Sequence, residues 1–397
     1  MPIEVGVFFG GQSVEHEVSI ISGLQALHAL DKTVYHAQPV YLTKEGDFVT
    51  GDALLTVSNY RDLPALIRRC KPVYLRRQGG GTLPRAALCQ AGRKRPLCVL
   101  DAALPVLHGT LGEDGTLQGL FELLGLPYAG CDVLASAVGM DKAVCKQLLA
   151  AAGLPVLPAI QFNAREWADR QTVSSDTLPT GNPDVLTEAI EQEIGYPCMV
   201  KPAGLGSSVG ISMAHDRAAL VDGVALATEF CEKILVERAV TALTEINCAV
   251  LGDRDNLRAS VCEQPLSAAD ILSYADKYDS KLTGLKRRLP APISAEKTAE
   301  IQTLAMDAFR CIGASGTARI DFLMDNSDND KVYINEINTI PGSLSFYLWE
   351  ADGLPFADLL DTLLTMAFAR AREKARLCRS IDSNLLRGGV FGAKGKS

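Results

Sequence analysis

Short apolar runs alternate with amphipathic stretches of helical spacing along most of the chain, and this alternation restricts the fold more than any other feature. Val5–Phe9, Val99–Leu104 and Ile334–Ile337 read as strands, whereas Val18–Leu30, Gln118–Leu124, Lys142–Ala152 and Ala295–Ile312 read as helices. Strands interleaved with helices predict an α/β chain with parallel or mixed sheets. At 397 residues the chain exceeds the ~150 typical of one domain. The breaks divide it into units spanning 1–138, 139–233 and 234–378, with a flexible tail at 379–397. The third unit is expected to open with the strand Ile234–Glu237. Residues 43–98, which carry Gly79-Gly80-Gly81, read as surface loops elaborating the first unit.

Apolar residues make up 47% of the chain and charged residues 22%, enough to bury substantial cores. No run reaches the ~18 apolar residues needed to cross a bilayer. The start lacks the basic region and cleavage site of a secretion signal. A cytoplasmic protein without a membrane partner is therefore expected. The eleven cysteines form no Cys-x-x-Cys, which argues against zinc or dithiol chemistry and for small core residues in a reducing compartment. A net charge of −8, with only short basic clusters such as Lys286-Arg287-Arg288, argues against a nucleic-acid partner.

Three constellations carry chemistry. Lys201-Pro-Ala-Gly-Leu-Gly-Ser-Ser-Val-Gly210 ends a strand on a lysine and continues into a loop of glycines and serines. Such a loop lets backbone N–H groups approach phosphate oxygens, although a structural turn would look the same. It matches neither the P-loop nor the Rossmann pattern. The second is Ala318-Arg-Ile-Asp-Phe322 followed by Tyr333-Ile-Asn-Glu-Ile-Asn-Thr-Ile-Pro-Gly342. Alternation puts Asp321 on one strand face, and Glu336 and Asn338 on one face of the next. Adjacent strands would gather three hard oxygen donors, which suit Mg²⁺ bridging ATP phosphates. The third, Glu237-Arg-Ala-Val-Thr-Ala-Leu-Thr-Glu245, sits at a strand edge able to clamp adenine, with a carboxylate left for ribose.

With three further segments, the chain resembles the D-alanine–D-alanine ligase family. The additional signatures are Gly10-Gly-Gln-Ser-Val-Glu-His-Glu-Val-Ser19, His108-Gly-Thr-Leu-Gly-Glu-Asp-Gly-Thr-Leu-Gln-Gly119 and Ala135-Ser-Ala-Val-Gly-Met-Asp-Lys142. Six motifs in the family's order span nearly the whole chain. The resemblance implies a three-domain ATP-grasp architecture with an N-terminal α/β domain. It also implies ATP and two Mg²⁺ ions, with Mn²⁺ able to substitute, and a homodimer formed through the N-terminal domain. The activity it implies is ATP-dependent joining of two D-alanines for peptidoglycan precursors.

Position by position, the resemblance assigns Lys142, Lys201 and Lys277 to ATP phosphates. Glu237, Arg238 and Val240 fall to the adenine site, Glu245 to ribose, and Asp321, Glu336 and Asn338 to magnesium. Glu15 would take the ammonium of the first amino acid, linked to Ser207 and Tyr278. Arg319 and the N–H of Gly342 would stabilise the oxyanion. His108 would either orient a group near the second substrate or cap the turn after Val106-Leu107. One departure stands out. Tyr347 occupies the place where relatives carry a serine for the second substrate's carboxylate, and Leu348 follows it in the same subsite. A tyrosine hydroxyl can also donate to a carboxylate, but it leaves other small acceptors, such as D-serine, D-lactate or glycine, open. A nucleotide-binding regulator without catalysis is the reading from another class.

Overall fold

The computed structural model describes residues 2–79, 83–168, 183–266 and 287–378. Tyr278 and Lys277 lie outside them. The first unit comprises β1 (Ile3–Gly10), α1 (His16–Ala29), β2 (Tyr35–Leu42), β3 (Phe48–Thr50), α2 (Leu63–Arg68), β4 (Lys71–Gln78), β5 (Arg85–Cys89), β6 (Cys98–Leu100), β7 (Ala102–Pro105) and α3 (Thr116–Leu124). Its seven strands run in the order β6-β5-β4-β3-β2-β1-β7. Strand β1 is parallel to β2 and β7 and is buried from Val5 onward, hence its unbroken apolar sequence. At its end Gly10 takes φ 93°, and a Cβ there would lie 2.3 Å from the Leu42 carbonyl oxygen. The chain thus turns sharply into the loop that carries Glu15 to the start of α1.

Two expectations change here. Residues 43–98 are not loops, because β3–β6 extend the sheet as antiparallel strands. Strand β4, Lys-Pro-Val-Tyr-Leu-Arg-Arg-Gln, is mostly solvent-facing, so it lacks the apolar signal of a buried strand. The run Val99–Leu104 is likewise two strands, broken at Asp101. Its carboxylate accepts the Glu4 N–H (3.0 Å) and its own N–H donates to the Glu4 carbonyl (2.8 Å). Strands β6 and β7 occupy opposite ends of the strand order, so the sheet curls until its edges meet.

Helices α4 (Val133–Met140) and α5 (Lys142–Ala151) lead into the second unit. Asp132 and Asp141 cap them by accepting N–H groups of their first turns. There β8 (Ala159–Asn163), α6 (Ala164–Ala168), α7 (Pro183–Glu193), β9 (Cys198–Pro202), β10 (Ser212–Ala214), α8 (Arg217–Thr228) and β11 (Lys233–Arg238) form an antiparallel sheet ordered β10-β9-β11-β8. Strand β11, expected to open the third unit, lies inside this sheet with Leu235 opposite Lys201. The boundary therefore moves beyond Arg238. Only 239–242 separate β11 from the next strand, so no linker marks the change.

The third sheet, β14-β13-β12-β15-β16, is built from β12 (Leu243–Gly252), β13 (Leu257–Pro265), β14 (Arg287–Arg288), β15 (Gly316–Asp325) and β16 (Lys331–Asn338), with α9 (Ala295–Cys311) against it. Helices α10 (Phe346–Ala351) and α11 (Phe356–Ala375) turn back to the first unit. Leu348, Trp349, Leu359 and Leu363 share one core with Val5, Val7 and Phe9 of β1. Leu348, assigned above to the second-substrate site, is fully buried in that core and contributes nothing to the cavity wall. Its side chain is a packing residue. Leu348→Ala is expected to cost ~2–5 kcal/mol in urea unfolding while leaving amino-acid KM values unchanged. A raised KM at unchanged stability would return Leu348 to the site.

Candidate functional site

A cavity of about 680 Å³ opens between the second and third sheets and reaches the loops of the first unit. This is an ordinary size for a small-molecule site. Apart from Leu348, every described residue singled out from the sequence lines it.

On one side stand the lysines. The Lys201 ammonium, at the end of β9, donates to the Glu237 carboxylate and to Asn335 Oδ1 (3.1 Å). Glu237 also holds Lys146 Nζ at 2.9 Å and is 1% exposed. Burial opposes its charge, but the two ammonium groups outweigh burial and hold its pKa down to about 2. Its carboxylate is thus the counter-ion of two lysines, more than an edge group for adenine. Lys146 went unnoticed in the sequence. Its spacing of four from Lys142 on α5 was the available signal, since that spacing places both on one helix face. Lys142 Nζ donates to the Leu205 carbonyl (2.7 Å) and pairs with Glu336 Oε2 at 3.1 Å. Burial disfavours its charge, and Glu336 more than restores it. Arg238 Nη2 donates to the Tyr333 hydroxyl (3.2 Å), and Val240 and Glu245 complete this wall.

Opposite lie the oxygen donors. Asp321 and Glu336 face each other across β15 and β16, with Asn338 two residues along. Arg319 clamps Asp321 through Nε (2.6 Å) and Nη2 (2.7 Å), and Asn338 Nδ2 donates to Asp321 Oδ2 (3.0 Å). A bulge follows, because Phe322 pairs with Ile334 and leaves Asn335 as an extra residue. Asn335 and Glu336 therefore both line the cavity, while Ile334 and Ile337 both enter the core. The spacing of three between those isoleucines, where a regular strand would show two, was the signal for Asn335. Two carboxylates and an amide oxygen on one face are the donor chemistry of a hard divalent cation.

The third wall comes from the first unit. Glu15 precedes α1 and is 7% exposed; Ser207 Oγ donates to its Oε1. Its Oε2 is buried and has no hydrogen-bond partner among the described residues. The glycine loop approaches so closely that a Cβ on Gly206 would sit 2.8 Å from this oxygen. His108 contacts the Ile340 carbonyl through Nδ1 (2.8 Å) and Ser22 Oγ through Nε2 (2.8 Å), and Ser22 Oγ accepts the Ser343 N–H (2.9 Å). A carbonyl only accepts, so Nδ1 carries the proton and Nε2 accepts from the serine. Burial lowers the pKa of His108 and keeps it neutral. Its role is therefore to brace the 340–343 loop, closer to the structural alternative.

Glu113, not singled out from the sequence, accepts the N–H groups of Gly109 (2.8 Å) and Ile340 (3.0 Å). Burial and the neighbouring Glu15 push its pKa up to about 8. Gly342 lines the cavity at the start of a 3-10 turn, Gly342–Ser345. The Tyr347 hydroxyl, expected to serve a substrate carboxylate, donates to Glu263 Oε1 (2.5 Å).

Two antiparallel sheets closing on a cavity, lysines from one and carboxylates from the other, define an ATP-grasp enzyme. Models of the D-ala D-ala ligase N-terminus and C-terminus match residues 4–131 and 148–365, and the chain belongs to the D-alanine–D-alanine ligase family. It is an ATP-dependent ligase by that membership. A D-alanine–D-alanine ligase of Heliobacterium modesticaldum is 40% identical over 94% of this chain and 96% of its own length. One from Thermosipho melanesiensis is 36% identical over 97% and 98%. Among solved structures, the D-alanine–D-alanine ligase of Coxiella burnetii superposes with a TM-score of 0.75, at 30% identity over 94% of this chain and 96% of that one. The VanG D-Ala:D-Ser ligase of Enterococcus faecalis also gives 0.75, at 28% identity over 92% and 100%.

Glu237→Gln strands two buried ammonium groups and is expected to cost ~3–5 kcal/mol of stability. The sign with pH follows from its lowered pKa. The contribution is complete above the unfolded value of 4.5 and is lost as pH falls toward 2. Urea unfolding should therefore show the gap between wild type and variant narrowing as pH drops below 4.5. A constant gap would refute the double ion pair.

Proposed function

We propose that the protein joins two D-alanines into D-alanyl-D-alanine, cleaving ATP to ADP and phosphate, to supply a peptidoglycan precursor. The observation that carries this is the buried Glu15 Oε2, which has no hydrogen-bond partner among the described residues, lines the same cavity as the lysines and can accept an ammonium group. With the first D-alanine's ammonium on Glu15, its carboxylate points toward the phosphate end of the site. That carboxylate attacks the γ-phosphorus in line, ADP leaves, and an acyl phosphate forms. The amine of the second D-alanine attacks the acyl carbon, and phosphate departs as the peptide bond closes.

Lys142 and Lys201 are the cations for the triphosphate, with Glu237, Arg238, Val240 and Glu245 lining the adenine and ribose region. Arg319 and the Gly342 N–H would stabilise the tetrahedral oxyanion, each such donor being worth ~3 kcal/mol. Asp321, Glu336 and Asn338 would hold Mg²⁺, as two ions, which when bound neutralises phosphate charge; Mn²⁺ takes the same oxygen donors. Before binding, Arg319 and Lys142 neutralise these carboxylates, which supports a site built for cation and phosphate exchange. For Tyr278 and Lys277, outside the described residues, the proposed roles are a hydrogen bond to Glu15 and contact with the γ-phosphate.

Consumption of ATP supports work in the cytoplasm, and none of the described helices is long and apolar enough to cross a membrane. Leu123 and Leu134, 80% and 68% exposed near the end of the N-terminal unit, support self-association there. Light scattering should give twice the 42.5-kDa chain mass, and a monomer mass at micromolar concentration would refute the dimer.

The deciding experiment is phosphate release from Mg·ATP with D-alanine or L-alanine, with products weighed by mass spectrometry. Release with D-alanine alone, accompanied by the D-Ala-D-Ala mass, is expected; no release would overturn the reading. In the same assay Glu15→Gln should raise the first D-alanine's KM on the order of 100-fold, with the ATP KM unchanged.

A further inference from the structure

The acceptor end of the cavity is not built as the sequence suggested. Tyr347 cannot offer its hydroxyl to a substrate carboxylate, because that proton is already given to Glu263 at 2.5 Å. Glu263 is 3% exposed and accepts a second bond on the same oxygen from Asn247 Nδ2 (3.1 Å). It is thus a fixed negative charge within the wall. On its open side stands Arg287, the first residue of β14. The guanidinium carbon lies 3.9 Å from the centre of the Tyr347 ring, so the planar group is stacked against the aromatic face. Its Nη1 is 3.6 Å from Glu263 Oε2, within reach of charge but beyond hydrogen-bond length. Among the described residues the Arg287 side chain makes no hydrogen bond, and it lines the cavity together with Tyr347, Glu263 and Arg319.

We propose that Arg287 receives the carboxylate of the acceptor amino acid. Tyr347 serves as the platform that holds the guanidinium flat, and Glu263 is the buried charge that draws it into the cavity. This deepens the dipeptide-forming reading above and rests on it. The physical case has two parts. A guanidinium presents a fork of N–H donors that matches a carboxylate, and stacking fixes its plane before the ligand arrives. Arg319 meanwhile has two donors committed to Asp321. A second guanidinium at the acceptor end lets Arg319 act on the acyl oxygen while Arg287 holds the incoming molecule.

The test is initial-rate kinetics on the full-length wild type, R287Q and R287K, with D-alanine and, as acceptor, D-alaninamide, which lacks the carboxylate. R287Q is expected to raise the acceptor D-alanine KM on the order of 30-fold, with the first D-alanine and ATP KM values unchanged, and R287K should recover part of the loss. Wild type should use the amide about 30-fold less well than D-alanine, whereas R287Q should no longer distinguish them. An acceptor KM within twofold of wild type in R287Q would overturn the proposal. So would equal losses for D-alanine and the amide, since a collapsed wall would harm both. If wild type forms no D-Ala-D-Ala at all, the failure belongs to the functional reading instead.

Discussion

The peptide at Ile340 is gripped from both sides by the first unit, and the site depends on that grip. Glu113 accepts its N–H and His108 meets its carbonyl, while Ser22 takes the N–H of Ser343 three residues on. These are bonds between the first unit and the 340–343 loop, two of them buried and the third partly so, where a hydrogen bond is stronger and its loss costlier than in water. The gripped segment carries Gly342, and α10 and α11 follow it into the core around β1. The position of Gly342 and the packing of the first unit are therefore one constraint. Glu113 is held there against its own chemistry: burial and Glu15 push its pKa up to about 8, opposed by the two N–H groups it accepts.

The cavity meets its charges in pairs before any substrate enters. Lys201 and Lys146 share Glu237, Lys142 meets Glu336, and Arg319 clamps Asp321. An unpaired ammonium at such depth would carry a desolvation penalty of several kcal/mol. With partners in place, a polyphosphate exchanges one set of contacts for another and need not neutralise bare charge. Glu15 differs, because one of its oxygens is buried without a hydrogen-bond partner among the described residues. An unsatisfied buried carboxylate oxygen on the cavity wall is where a substrate cation has most to gain.

Much of this was legible from residue types in order. Strand β1, helices α1, α3, α5 and α9, and the lysine, carboxylate and glycine segments of the cavity all lie where the periodicity and motifs placed them, within a few residues. What escaped notice has physical reasons. Strands β3 and β6 are only three residues long and β4 is mostly solvent-facing, so alternation is weak. Strand β11 belongs to the second sheet because of its pairing, which no local signal reports. Glu113, Glu263 and Arg287 act through contacts made across 227, 84 and 24 residues respectively, beyond the reach of motif spacing. Tyr347 was noticed as unusual, but its use depended on Glu263, a neighbour that only folding supplies.

The bulge in β16 shows why the two sheets act together. In a regular strand Asn335 and Glu336 would point to opposite faces, and one of them would be lost to the core. The extra residue turns both toward the cavity. Asn335 then reaches Lys201 on the second sheet, while Glu336 reaches Lys142 at the start of α5. Adjacent residues of one strand thus tie down both lysines proposed to face the triphosphate. The second and third sheets are therefore coupled at the bulge, on the strand that also carries oxygen donors of the cavity.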